Sequence, residues 1–377
     1  MPSAAHPGAA SYHGCAVSPQ VHQVLVSASP GDAVTTAARE LQAVLARLGP
    51  SDIYAAHPAP ELAGHVFPLS RYPRPPHAGP ADLLLVHVAT GIGEVAAFVA
   101  GRRERVALVY HGLPSTPVCR ALDPHADAVL EASRRELASM RDRATVALAG
   151  SGHGARQLEA LGFADVRVTP LPADPARLLS TTPDAATEHH LTHVLAGPAF
   201  VFVGGLLPAE RPHLLLQAFH VLATFLLPGA HLILVGPAPM KRYRDVVHHF
   251  ARQLGLAHAV WITGDVSRSE LAAFYRRADV FVTAGDHVGF CSPVLEATAF
   301  DVPVVARSQG ATPEVLGDAG LLVPAEDGPF LLAEAMAAAA TDETLRSRLV
   351  AAARRRLQQL DPEQAAARLL GHVLDVA

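Results

Sequence analysis

From residue 21 almost to its end, the chain alternates short apolar runs with stretches whose apolar residues recur at helical spacing. Val21–Ser27 (VHQVLVS) predicts a strand, Pro30-Gly31-Asp32 a turn and Ala33–Leu48 a helix, the first half of a βαβ unit. Asp52–Ala56 predicts a weak strand. Leu83–Val88 (LLLVHV) is a mostly apolar run of the kind buried in a parallel sheet. The pattern continues with a helix over Gly91–Ala100, a strand over Val106–Tyr110, a helix over Ala126–Met140, a strand over Thr145–Ala149, a helix over Ser151–Leu161 and a strand over Val166–Pro170.

Residues 173–198, which include TTPDAATEHH, break this rhythm and predict a hinge with room for one short helix. A second series follows. It has strands at Phe200–Gly204, His231–Val235, Val260–Thr263, Val280–Thr283, Val302–Ala306 and Gly320–Val323. Between them lie helices at Arg211–Leu226, Tyr243–Leu254, Ser267–Arg276, Pro293–Ala299 and Pro313–Leu316, with helices after the last strand. The fold class is therefore α/β, with two doubly wound lobes facing a cleft. The divisions are a mobile tail at 1–20, an N-terminal lobe at 21–172, the hinge at 173–198, a C-terminal lobe at 199–360 and a final segment at 361–377. No repeat of 20–50 residues appears beyond the two lobes themselves.

Composition narrows the function classes. A net charge of −5 supplies no broad basic field, which argues against nucleic acid as a partner. No apolar run approaches the roughly 20 residues of a membrane span. Cys15, Cys119 and Cys291 lie far apart without a CxxC pair, so a zinc ribbon is not expected. The odd cysteine count, with no secretory pattern at the start, points to a reducing cytoplasm.

Four segments then carry a resemblance: VFVGGLLPAERPHLLLQAF (201–219), LILVGPAP (232–239), VWITGDVSRSELAAFYRRADVFV (260–282) and GFCSPVLEATAFDVPVVARSQGATPEVLGDAGLLV (289–323). HQVLVSASPGDAV (22–34) and VYHGLPSTP (109–117) add weaker agreement. Together they resemble the family 4 glycosyltransferases of the GT-B fold. The resemblance implies a nucleotide-diphosphate sugar, UDP- or GDP-linked, as donor substrate, with its nucleoside on the C-terminal lobe. It also implies no metal and no other cofactor, and a final helix, Pro362–Leu374, that crosses back to the N-terminal lobe.

The same resemblance implies which residues hold the donor. Glu296 stands where the family has a carboxylate for the ribose diol, the other reading being a helix-terminus glutamate without a ligand. Gly289, Phe290, Cys291 and Ser292 form the turn ahead of its helix, whose N–H groups suit hydroxyl or phosphate oxygens. His111, after the strand VALVY, is the expected catalytic contact near the reacting carbon, or else a structural histidine. Gly31 would let the backbone approach the diphosphate, and Gly236 would turn the chain near the base; both also read as ordinary turn glycines. Glu314 reads first as a cap and second as a nucleotide contact. His22 and His87 read as structural.

Three family positions depart. The phosphate-binding Arg is replaced by Gly205, the Lys by Glu210 and the first of two Glu by Val288. Two lost charge-assisted hydrogen bonds forfeit roughly 3–6 kcal/mol, about 10²–10⁴ in affinity or rate. Arg211 and Asp286 are the named candidates for compensation, with Lys241, Arg242 and Arg244 behind them. The leading expectation is a retaining hexosyltransferase acting on an acceptor hydroxyl. The alternatives are a catalytically inactive homologue acting as a nucleotide-binding or partner subunit, alone or in a homo-oligomer, and a GT-B enzyme of other chemistry. The sequence carries no code for base, sugar or acceptor.

Overall fold

A computed structural model describes residues 20–47, 49–73, 82–114, 124–171, 174–286 and 291–374. Its first half builds one parallel sheet from β1 (Val21–Ala28), β2 (Ile53–Pro58), β3 (Val66–Pro68), β4 (Leu83–Val88), β5 (Arg105–Tyr110), β6 (Ala144–Ala149) and β7 (Val166–Val168), in the order β3-β2-β1-β4-β5-β6-β7. The connecting helices are α1 (Ala33–Leu45), α2 (Gly93–Ala100), α3 (Pro124–Ser139) and α4 (Gly152–Ala160). Strand β4 is buried along its whole length, which is why it reads as a mostly apolar run broken only by His87. The three-residue β3 is too short to leave a period and was not expected from the pattern.

Two helices occupy the stretch expected as a hinge, α5 (Ala176–Leu179) and α6 (Ala185–Val194). Asp184 caps α6 by accepting from Thr187 N at 2.8 Å. Leu191 and Leu195 then pack against Ala199, Val201, Ile233 and Phe274, so this segment forms part of the C-terminal core.

The second sheet comprises β8 (Ala199–Val203), β9 (His231–Val235), β10 (Val260–Gly264), β11 (Val280–Thr283), β12 (Val304–Ser308) and β13 (Gly320–Pro324), in the order β10-β9-β8-β11-β12-β13. All its pairings are parallel. Its helices are α7 (Pro212–Val221), α8 (Lys241–Gln253), α9 (Arg268–Arg277), α10 (Ser292–Ala299) and α11 (Thr312–Leu316), followed by α12 (Pro329–Thr341), α13 (Glu343–Gln359) and α14 (Pro362–Leu374). The helix expected over Arg211–Leu226 begins at Pro212, because Arg211 is left-handed with φ 50°. It ends in a π-helical turn over Leu222–Leu226. Leu369, Leu370 and Val373 of α14 pack with Val21, Leu41 and Leu83 in the N-terminal lobe.

In both sheets the strand order reverses once, between β1 and β4 and between β8 and β11. Such switch points open a crevice outside the carboxyl ends of the strands, where ligands of doubly wound sheets bind. This chain places its two crevices against each other. Among the described residues no helix is long and apolar enough to cross a membrane.

Candidate active site

A cavity of about 310 Å³ lies where the two switch points meet. Ala33 and Val34 line it from the first turn of α1, which follows β1, and Ala89 from the end of β4, with Val203, Gly204 and Thr283 at the ends of β8 and β11. Of the expected site residues, His111, Glu210, Cys291, Ser292 and Glu296 are on its wall. Val288, Gly289 and Phe290 lie outside the described residues.

The C-terminal wall is built by α9 and α10. Cys291 precedes α10 in a left-handed conformation with φ 59°, and its side chain makes no cap. Pro293 has no N–H, and Val294 N donates to Cys291 O at 2.9 Å, so the Ser292 amide is the donor this helix terminus offers the cavity. Burial pushes the Cys291 thiol up to about 12, so at neutral pH it is a filler of the wall. One turn further on, Glu296 accepts from the hydroxyl of the fully buried Tyr275 at 2.9 Å. Burial pushes the Glu296 carboxyl up to about 7, against the opposing pull of that hydroxyl and of Arg268. Arg268 is the one cation among the described residues lining the cavity. The sequence reading did not select it; its only signal was its place in the third matching segment.

The loop after β8 has a different character. Glu210 faces the cavity without a side-chain partner among the described residues. Burial first, and the Asp286 carboxylate second, push it up to about 7. Arg211 points to Asp286 and pairs with it through Nε. The other oxygen of Asp286 accepts from Arg307 Nη1 at 2.7 Å. Arg307 is only 6% exposed and also donates to the carbonyls of Ala284 and Ala325. Arg211 and Asp286, the two candidates for compensation, are thus each other's partners in one closed ion cluster. Gly205 lies off the cavity wall, and a Cβ there would meet only the Leu207 side chain at 3.4 Å and Pro237 O at 3.9 Å.

The two expected donor-site glycines have local reasons. Gly31 has φ 80° in the turn before Asp32, which caps α1 by accepting from Thr35 N at 2.8 Å. Gly236 is off the cavity wall, and it has to be glycine because a Cβ there would fall 2.3 Å from Gly204 O. It lets β8 and β9 close on each other at their ends rather than turning toward a ligand. Glu314 bridges the lobes. Its carboxylate accepts from Gly152 N at 2.5 Å and His153 N at 3.0 Å, at the N-terminus of α4.

On the N-terminal wall, His111 Nε2 lies 2.9 Å from His87 Nδ1, and His87 Nε2 lies 2.8 Å from Gln23 Oε1. Gln23 Nε2 donates to Ala38 O at 3.0 Å. Burial pushes His111 down to about 4 and His87 well below its ordinary value, so both rings are neutral at physiological pH. Gln23 escaped the sequence reading, and His87 read as structural. The available signal was a polar residue inside each of two apolar strands. Glu40, also missed, lines the cavity from α1, accepts from Asp174 N at 3.0 Å and is pushed up to about 7 by burial.

Comparison with known proteins agrees with this architecture. Residues 191–356 match the family model described as Glycosyl transferases group 1. The D-inositol 3-phosphate glycosyltransferase of Mycolicibacterium gilvum is 30% identical over 47% of this chain and 40% of its own length. Its counterpart from Corynebacterium glutamicum is 30% identical over 47% and 44%. A GDP-mannose-dependent alpha-(1-6)-phosphatidylinositol monomannoside mannosyltransferase of Mycobacterium tuberculosis is 38% identical over 23% and 24%. The chain thus spans less than half the length of these curated relatives. Among solved structures, Anabaena Alr3699/HepE in complex with UDP and glucose superposes with a TM-score of 0.71 at 18% identity, over 95% of this chain and 100% of that one. The sucrose-phosphate synthase of Thermosynechococcus elongatus gives the same four values. At such identities the two structures speak for the shared GT-B fold.

Proposed function

We propose that this chain, whose residues 191–356 match the model of the group 1 glycosyl transferases, binds a nucleotide-diphosphate sugar in the cavity between its lobes and transfers the hexose to an acceptor hydroxyl. The observation that carries this reading is the meeting of Glu296 and His111 on one cavity at the switch points of both sheets. Glu296, steadied by Tyr275, offers the two oxygens that a ribose diol requires. The Ser292 amide and Arg268 flank the path that the phosphates would follow. His111 faces them from the opposite lobe, on the side of the sugar. Curated relatives that are mannosyltransferases and D-inositol 3-phosphate glycosyltransferases support the same class of reaction. Retention at the anomeric carbon and independence of metal belong to the proposal through the family resemblance alone, and a cytoplasmic location through the scattered, odd-numbered cysteines alone.

One observation favours a second reading, a relative that binds nucleotide without transferring sugar. The cavity wall carries Glu210 where the resemblance implies a Lys, and the neighbouring Arg211 is tied to Asp286. Cationic help for a leaving diphosphate is then reduced to Arg268 and backbone amides.

Calorimetry with UDP, GDP and their sugars, followed by assays of donor hydrolysis, separates the two. Binding with slow hydrolysis or transfer supports the first reading; binding with neither supports the second. No binding of any nucleotide at millimolar concentration sinks both. Restoration sharpens the result. If Gly205→Arg with Glu210→Lys and Val288→Glu creates donor binding that the parent lacks, the native phosphate end is degraded. A neutral or harmful triple change means that the parent site uses other groups.

A further inference from the structure

The hydrogen-bond chain behind His111 has a direction that its geometry, together with the neutrality of the fully buried His87, determines. Gln23, His87 and His111 come from β1, β4 and the residue following β5, three neighbouring strands. Gln23 pairs with Leu85, and His87 with Val109, in parallel register. Alternation along each strand then sets Gln23, His87 and His111 on one face of the sheet, the face covered by α1. Gln23 and His87 are buried at 0% and 1% exposure, so neither has water as a substitute partner.

The amide end of Gln23 is held by Ala38 O, so its oxygen faces His87 Nε2. An amide oxygen only accepts; His87 Nε2 must therefore carry the hydrogen. A neutral His87 then presents a lone pair at Nδ1, and His111 Nε2 must carry the hydrogen between the two rings. What remains to His111 is Nδ1 with its lone pair, which has no partner among the described residues, on a ring that lines the cavity.

We propose that Gln23 and His87 are positioning residues that lock His111 into its Nε2–H form, so that Nδ1 stands on the cavity as an acceptor for a hydroxyl of the bound sugar. In this form His111 receives a hydrogen bond and has no proton to give toward the ligand, which excludes it as a general acid. The sugar hydroxyl as ligand rests on the donor reading above; the locked imidazole does not.

Two measurements keep these apart. Long-range proton–nitrogen correlation spectra of the 15N-labelled full chain at pH 7 report which ring nitrogen of each histidine is protonated. His111→Gln and His87→Gln identify the signals by their loss. The expected parent spectrum has both rings in the Nε2–H form. In Gln23→Leu, His87 loses its acceptor and His111 becomes a mixture of tautomers, while His87→Gln keeps His111 in the Nε2–H form because an amide oxygen can replace the lone pair of His87. His111 in the Nδ1–H form in the parent, or an unchanged His111 spectrum in Gln23→Leu, overturns the proposal.

The second measurement is calorimetry of UDP and UDP-glucose on parent and Gln23→Leu. The lock predicts UDP affinity unchanged and the extra affinity given by the glucose reduced roughly tenfold, the size of one hydrogen bond to a ligand. Equal losses for UDP and UDP-glucose would mean general damage and overturn the positioning role. Absence of UDP binding to the parent counts against the donor reading, and the imidazole spectra still decide the lock.

Discussion

The two ends of the cavity handle charge in opposite ways. At the end proposed for the nucleoside, Glu296 lines the wall braced from behind by Tyr275, and Arg268, whose Nε donates to Thr181 Oγ1 at 3.2 Å, leads from it toward the proposed path of the phosphates. At the end proposed for the phosphates, Glu210 adds an acid to the wall, and beside it, off the wall, Arg211, Asp286 and Arg307 satisfy one another. Both ends use charged side chains of the C-terminal lobe. Under the proposed reading, a phosphate site is weakened not only by deleting cations but also by giving a nearby cation an internal partner.

The largest expected effect comes from breaking the closed cluster. Asp286→Ala leaves Arg307, 6% exposed, without its anion, which costs on the order of 3–5 kcal/mol in urea unfolding. The same change releases Arg211, so UDP affinity should rise in the surviving folded protein. Asp286→Asn, which keeps an acceptor oxygen, should lose less stability while raising affinity in the same direction. Unchanged affinity in both variants would show that Arg211 does not reach the phosphates even when free.

Second in size is Glu296→Ala. Two charge-assisted hydrogen bonds to a ribose diol are at stake, so nucleotide affinity should fall by about 10²-fold in calorimetry. A fall of similar size for the 2′-deoxy nucleotide on this variant would contradict the diol assignment.

The third prediction concerns pH. Glu210 and Glu296 both titrate near 7, raised from an ordinary carboxylate by burial. For Glu296 the ionised form is the better acceptor of two hydroxyls, so its contribution to affinity grows as pH rises through 7. For Glu210 the ionised form repels a diphosphate, so its contribution falls over the same interval. The parent should therefore bind UDP with a shallow dependence on pH. Glu210→Gln should steepen the rising limb, with Glu40 on the same wall still opposing it, and Glu296→Gln should leave only a falling one, each roughly tenfold between pH 6 and pH 8. Stability follows a simpler sign. Both carboxyls have folded values above their unfolded ones, so the chain binds more protons when folded and loses stability as pH rises from about 4.5 through 7.

The smallest effect is expected at Glu314, whose carboxylate joins the lobes at the N-terminus of α4. Glu314→Gln keeps the acceptor oxygen and loses the charge, a change of about 0.3–1 kcal/mol seen as a slightly lower melting temperature.

Sequence made the fold readable where burial imposed a period. LLLVHV could only be a covered parallel strand, and β4 is buried throughout. It failed where elements are short or thinly amphipathic. Strand β3 has three residues, and α6 buries only Leu191 along ten. Glu296 was legible because an ordered segment surrounds it, whereas Gln23 and His87 were not. They lie 64 residues apart in the chain and meet only because the strand order brings β1 beside β4. The closure of Arg211 onto Asp286 across 75 residues was equally hidden. Long-range pairing of polar groups decides which charges face the cavity, and hydropathy patterning does not encode it.

The most direct test of the divided site compares nucleoside with nucleoside diphosphate on the unmodified chain. Uridine against UDP, and guanosine against GDP, are titrated calorimetrically at pH 8, where Glu210 is ionised. A working nucleoside end beside a self-neutralised phosphate end predicts measurable binding of one nucleoside and a gain of less than about tenfold from the diphosphate. A gain of about 10³-fold or more, or binding of the diphosphate without any binding of its nucleoside, would contradict it.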